Sequence, residues 1–218
     1  MDSVNSTIFN RLENLGILLS NKKNPIVFEN NYDTLVLSKP NKMYFDGWWL
    51  GDIYSSFIDD AYQHINFEDK IVVDIGGTIG DSAIGFITKG AKKIISLEPF
   101  PINYDYGKSN ILKNNMLNQI EFLNAGCGPN SSKITIDSTF SGVSNQMTSS
   151  EHGIEIDQYS LSDLIEKFSI SNCILKMDCE GCEYDVLLNT PDSILKKFSQ
   201  IFIEYHSGSD ILEEKLKH

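Results

Sequence analysis

Short apolar runs, separated by polar and glycine-containing stretches, set the rhythm of the middle of this chain. Ile71-Val72-Val73 ends on Asp74, and Ile94-Ile95-Ser96-Leu97 ends on Glu98. Residues 120–123 form a third run, and Ile174-Leu175-Lys176-Met177-Asp178 a fourth. Runs of this length bounded by turn residues read as strands. Between them, residues 81–88 and the amphipathic residues 103–116 are compatible with helices. Ser160-Leu161-Ser162-Asp163 starts a further helix with good capping chemistry. A fifth strand falls near residues 200–204, and residues 211–217 read as a helix. Strands alternating with helices imply an α/β fold with a mainly parallel sheet.

Two regions depart from that rhythm. Residues 1–66 read as a lead-in to a main domain at 67–218. In the lead-in, residues 5–19 have helical spacing, 34–37 and 43–45 are short strand candidates, and Asp46-Gly47-Trp48-Trp49 is a turn with aromatics. Residues 129–159 read as a hairpin insertion, because Lys133-Ile134-Thr135-Ile136 and Gly153-Ile154-Glu155-Ile156 alternate as exposed strands do. The serine-, threonine-, asparagine- and glycine-rich residues 138–151 between them suit a lid or substrate loop. A surface loop with no role is an equal reading.

The candidate chemistry sits where the first run turns. Asp74-Ile75-Gly76-Gly77-Thr78-Ile79-Gly80 links the first strand to the first helix. Glycines there let a backbone approach a ligand closely. Glu98, at the tip of the next strand about 20 residues on, can accept hydrogen bonds from ribose hydroxyls. A dinucleotide turn wants G-x-G-x-x-G with a helix N-terminus aimed at a pyrophosphate. Here the spacing differs, and Asp74 stands just before the turn. A carboxylate there suits the ammonium of an amino acid better than a pyrophosphate. S-adenosylmethionine joins adenosine to an amino acid with no phosphate, so it is the better fit. The small residues after the third strand, Ala125 and Gly126, could lie along an adenine face, although a plain turn explains them almost as well.

Composition narrows the partners. The 218 residues are 41% hydrophobic, ordinary for one globular domain. The formal net charge is -12, and Arg11 is the only arginine. Nucleic-acid binding normally needs a basic face, so such a substrate is disfavoured. No apolar run approaches the ~20 residues that span a bilayer. The N-terminus lacks a secretory signal's apolar core, and a cytoplasmic location follows by default. Of four cysteines, Cys127 and Cys173 stand alone, and Cys179 and Cys182 make a C-x-x-C. That spacing allows a thioredoxin-like motif, but without a second ligand pair it does not read as a zinc site. The favoured reading is two small buried residues.

Taken together, Asp74 through Gly80, Glu98-Pro99, Asn110, the block Lys176-Met177-Asp178-Cys179-Glu180-Gly181-Cys182-Glu183 and Glu204-Tyr205-His206 resemble the FkbM-type methyltransferase family. The resemblance covers roughly residues 65–210. It implies a Rossmann-like class I methyltransferase sheet with helices on both faces, and S-adenosylmethionine-dependent O-methylation of a small molecule or sugar. It implies that Asp74, Gly76, Gly77, Thr78 and Gly80 form the cofactor loop, with Glu98 and Pro99 at the ribose. It also places Asp178, Glu180 and Glu183 beside the substrate pocket, and Lys176, Asp178 and Glu180 join the catalytic candidates. Thr78 stands where the family commonly has asparagine.

Methyl transfer to a hydroxyl needs alignment and a base. Alignment can contribute ~7–11 kcal/mol, and the base must work near operating pH. His206, just past the last apolar strand, is the first candidate, and Asp178 the second. The acids Asp178, Glu180, Glu183 and Glu204 also allow a divalent metal. Capping of the next helix is the favoured explanation for Glu183.

Class I methyltransferases usually end with an antiparallel hairpin after the fifth strand, and no such hairpin is legible here. The fifth strand would then be an exposed edge, so the expectation is either a truncated chain or an oligomer that covers that edge. Two other readings remain open at this stage. One is an NAD(P)-dependent oxidoreductase; the other is a non-catalytic binder of an adenosyl ligand.

Overall fold

The computed structural model describes residues 26–29, 34–37, 42–48, 50–57, 61–139, 153–205 and 208–217. The helix expected over residues 5–19, most of the loop at 138–151, and His206 lie outside these residues. In chain order the elements are β1 (Ile26–Glu29), β2 (Thr34–Leu37), β3 (Met43–Asp46), α1 (Leu50–Phe57), β4 (Ile71–Ile75), α2 (Asp81–Thr88), β5 (Lys93–Leu97) and α3 (Pro101–Lys113). They continue with β6 (Ile120–Leu123), β7 (Ala125–Cys127), β8 (Ser132–Ile136), β9 (Ile154–Tyr159), α4 (Leu161–Lys167), β10 (Cys173–Met177), α5 (Cys182–Asn189), α6 (Asp192–Leu195), β11 (Phe198–Ile203) and α7 (Asp210–Leu216).

The central sheet has the order β11-β10-β4-β5-β6, and every neighbouring pair is parallel. Side chains alternate between faces along each strand, so a parallel sheet buried on both sides needs apolar residues at both parities. The chain supplies them. Val73, Ile75, Ile95 and Leu97 pack with Leu161, Leu164, Val186 and Leu187 on one face. Val72, Ile94 and Ile174 pack with Ile84, Phe86 and Ile111 on the other, joined by Leu35, Phe45 and Ile53 from the N-terminal elements. Each fully buried aliphatic side chain contributes about 1.5–3 kcal/mol. Successive strands run outward from β4 to β6, and the chain then returns to β10 on the opposite side of β4. The crevice between the C-terminal ends of β4 and β10 is therefore the topological switch point, where open α/β sheets bind ligands.

Two asparagines weld the N-terminal sheet, ordered β1-β2-β3, to this scaffold. Asn110 on α3 and Asn114, its C-cap, lie one turn apart and so share a face. Asn114 Oδ1 accepts from Tyr44 N at 3.0 Å, and its Nδ2 donates to Tyr44 O at 2.8 Å. Asn110 does the same for Asp46, at 2.7 and 3.1 Å. The two amides thus satisfy alternate residues of the β3 edge as a neighbouring strand would. Asn110 Nδ2 also donates to Ile79 O at 3.0 Å, tying the N-terminal sheet to the glycine turn.

Three local features differ from the sequence reading. Residues 50–57 form a helix that no periodic signal announced, since it is short and contains Gly51, Ser55 and Ser56. Ala125–Cys127 is a strand and not a plain turn, because it pairs in parallel with β9, which in turn pairs antiparallel with β8. Cys179 and Cys182 are joined in a disulfide and are not two independent buried thiols; the bridge closes the short loop that leads into α5. β11 is the outermost strand, and among the described residues no strand follows it.

Candidate functional site

The turn after β4 is built to stay close to its surroundings. Gly76 has φ +83, and a Cβ there would sit 1.8 Å from the backbone oxygen of Asp178. Only glycine lets the turn lie against the end of β10. Gly80, with φ +77, is the N-cap of α2. Thr78 has φ +43, an uncommon conformation for a β-branched residue. Its backbone N donates to Glu98 Oε2 at 2.9 Å, which helps hold it there.

Glu98 is the hinge of this arrangement. Its Oε1 accepts from Phe100 N at 2.9 Å and from Asn103 Nδ2 at 3.5 Å. Burial pushes its carboxyl up to about 8 against the lowering effect of those backbone donors. Its Oε2, with a single donor, keeps acceptor capacity, and the residue lines a pocket that also includes Gly76, Thr78, Pro99, Ala125, Gly126, Asp178 and Glu180. Eight residues singled out from sequence therefore meet in one cavity. Ile75, Leu97, Phe100, Asn103, Cys127 and Cys179 complete its lining.

The other expected site residues lie behind the cavity wall. Asp74 is fully buried: its Oδ2 accepts from Ser96 Oγ at 2.7 Å and Ser82 Oγ at 2.9 Å. Its Oδ1 receives no hydrogen bond and is held by the charge of Lys176 Nζ, 3.3 Å away. It is thus not the free carboxylate an ammonium would need. Gly77 faces Ser96 and Phe122, where a Cβ would lie 2.2 Å from Ser96 Oγ, so its role is packing.

Lys176 is buried, and its Nζ donates to Gly76 O at 2.8 Å. Burial opposes its charge, but Asp74 and the neighbouring acids outweigh this and raise its pKa. It acts as a clamp on the turn, behind the reacting space. Glu183 is fully buried, and its two oxygens accept from Cys179 N and Gly181 N, both at 2.9 Å. It caps the loop before α5. Among the described residues, no group of three or more His, Cys, Asp or Glu comes together in a way that could hold a metal ion.

The sequence matches the Methyltransferase FkbM domain over residues 74–216, more than half of the chain. The chain belongs to the FkbM methyltransferase family. It is 29% identical over 170 residues to Uncharacterized protein 158B of Sulfolobus islandicus rod-shaped virus 1, covering 77% of this chain and 82% of the relative. Its fold is similar to the solved Methyltransferase FkbM from Methylobacillus flagellatus KT, at 20% identity and a TM-score of 0.52. That alignment covers 74% of this chain and 40% of the other, so this FkbM-family chain spans less than half of that protein's length. Family membership displaces the oxidoreductase reading. No helix among the described residues is long and apolar enough to cross a membrane.

Sequence reasoning missed two groups in this FkbM-family site. Asn103 and the backbone of Phe100 orient Glu98, and neither carries a motif signal. Asp81 and Asp52 form a second acidic layer near the turn. Asp81, in the first turn of α2, accepts from Ser56 Oγ at 2.6 Å, and burial raises its pKa to about 6. An acid opening the helix was visible in the sequence, but its partner on α1 was not.

Proposed function

We propose that the protein binds S-adenosylmethionine and methylates a hydroxyl oxygen on a small molecule or glycan. The observation that carries this reading is Glu98: a buried carboxylate, fixed by two backbone donors, facing a pocket beside a glycine turn. A ribose diol supplies an O–H donor for the acceptor site that Oε2 keeps open. The small residues Ala125 and Gly126 leave room for a flat base beside it. When bound, S-adenosylmethionine supplies a methyl group already activated on its sulfonium.

The chain's own contribution is then orientation and proton handling. Glu98, Gly76 and Thr78 fix the cofactor's place, and Lys176 stiffens the turn from behind. Asp178 and Glu180, on the opposite wall, face the acceptor. Asp178 is a base candidate together with His206, which the described residues do not include. The acidic wall disfavours phosphate- or carboxylate-bearing acceptors and suits neutral hydroxyls. The metal alternative is not needed for this reading.

The test uses S-adenosylmethionine carrying a labelled methyl group and panels of neutral sugars and small hydroxyl compounds. Products are followed by mass spectrometry and mild alkaline treatment. A methyl ether that survives alkali supports the reading. An alkali-labile ester, or a methyl on nitrogen, would replace it with another acceptor chemistry.

A further inference from the structure

With Asp74 fully buried and enclosed by Ser82, Ser96 and the charge of Lys176, the site still needs a partner for the amino-acid end of its cofactor. We infer that Asp52, carried by the N-terminal helix α1, receives the ammonium of the cofactor's amino-acid moiety. This inference rests on the methyltransferase reading and extends it to a residue outside the matched family segment.

Three observations place Asp52. First, Asp52 and Ser56 are four residues apart on α1 and therefore share a face. Ser56 donates to buried Asp81 at the start of α2, so that face is turned toward the N-terminus of α2 and the glycine turn. Second, Asp52 Oδ2 is buried and has no hydrogen-bond partner among the described residues. A buried carboxylate oxygen left bare is costly, and a donor arriving with a ligand would relieve that cost. Third, Asp52 lies within electrostatic reach of Asp81, Lys176, Asp178 and Glu98, the charged groups around the glycine turn. A ligand anchored at Glu98 and lying across the turn brings its other end there.

The local charge agrees. Asp52, Asp74, Asp81, Glu98 and Asp178 face a single cation, Lys176, among these groups. Burial, then Asp81, push the Asp52 carboxyl up to about 8, with Lys176 opposing and Asp178 and Glu98 adding to the rise. An ammonium lodged beside it would hold it ionised.

The experiment compares two ligands that differ in this moiety. S-adenosylhomocysteine carries the amino acid, whereas 5′-methylthioadenosine keeps the ribose and lacks it. Both are titrated calorimetrically into the native protein, Asp52→Asn and Glu98→Gln. The expected result is that Asp52→Asn weakens S-adenosylhomocysteine by roughly ten- to a hundredfold and spares 5′-methylthioadenosine. Retained binding of the second ligand also shows that the variant is folded. Glu98→Gln should weaken both ligands. An unchanged ratio of the two affinities in Asp52→Asn overturns the assignment. Failure of both ligands to bind the native protein overturns the cofactor reading itself, so the two failures are distinguishable.

Discussion

Replacing Lys176 by methionine keeps the apolar stem of the side chain and removes its ammonium. In the native protein that ammonium is the counter-charge of Asp74, 3.3 Å away, and the donor to Gly76 O at 2.8 Å. Both charged side chains are almost wholly inaccessible, at 3% and 0% exposure, so solvent cannot screen the loss. Breaking a buried pair by removing one partner typically costs about 3–5 kcal/mol.

The cost has a ceiling, because a buried aspartate stripped of its partner can take up a proton. From the ordinary aspartate value this costs about 4 kcal/mol at pH 7 and about 1.5 kcal/mol at pH 5. Lys176→Met should therefore lose roughly 3–4 kcal/mol at pH 7 and clearly less at pH 5. For a chain of this size that corresponds to a fall of about 6–16 °C in Tm at neutral pH. Urea unfolding followed by circular dichroism at the two pH values measures both quantities. A loss below about 1 kcal/mol at pH 7, or one that does not shrink on acidification, would refute the clamp.

Other perturbations test separate parts of the site. Gly76→Ala puts a methyl into the backbone of Asp178, so S-adenosylhomocysteine binding should fall below detection in calorimetry while the circular dichroism spectrum stays α/β. Asp52 and Glu98, both raised to about 8, and Asp81, raised to about 6, resist ionisation in the ligand-free fold. Their contribution to stability is fully present below about pH 4 and is lost progressively as pH rises to the folded values, so the ligand-free Tm should fall between about pH 4 and pH 8 and level off above that. Because ribose donors favour the Glu98 carboxylate, affinity for 5′-methylthioadenosine should rise with pH and level off above about 8. Reduction of Cys179–Cys182 should weaken S-adenosylhomocysteine more than it lowers Tm, since the closed loop is too short to constrain the unfolded chain much. It does, however, fix the wall that carries Asp178 and Glu180.

The parts of this molecule that were readable in advance are those with a local periodic or turn signature. Val72 and Val73 point to opposite faces of β4, and both had to be apolar, so the run declared a strand buried on two sides. Glu98 was legible because its position at a strand tip is set by sequence distance from the glycine turn. Asp74 was legible in place but not in role, because its partners Ser82, Ser96 and Lys176 come from three other elements. Lys176 likewise looked like a catalytic group, and only its burial behind Gly76 reveals a clamp. Asp52 left no signal at all, since the contact between α1 and α2 depends on long-range packing. The strand at 125–127 was hidden for the same reason: its pairing partner, β9, lies some thirty residues downstream.

The measurement that bears most directly on the whole account is a titration of the native protein with S-adenosylhomocysteine, run beside NAD and repeated on Glu98→Ala. The account predicts one-to-one binding of S-adenosylhomocysteine, no response to NAD, and a marked loss of affinity in the variant. Binding of NAD in preference, or S-adenosylhomocysteine affinity indifferent to Glu98, would contradict it.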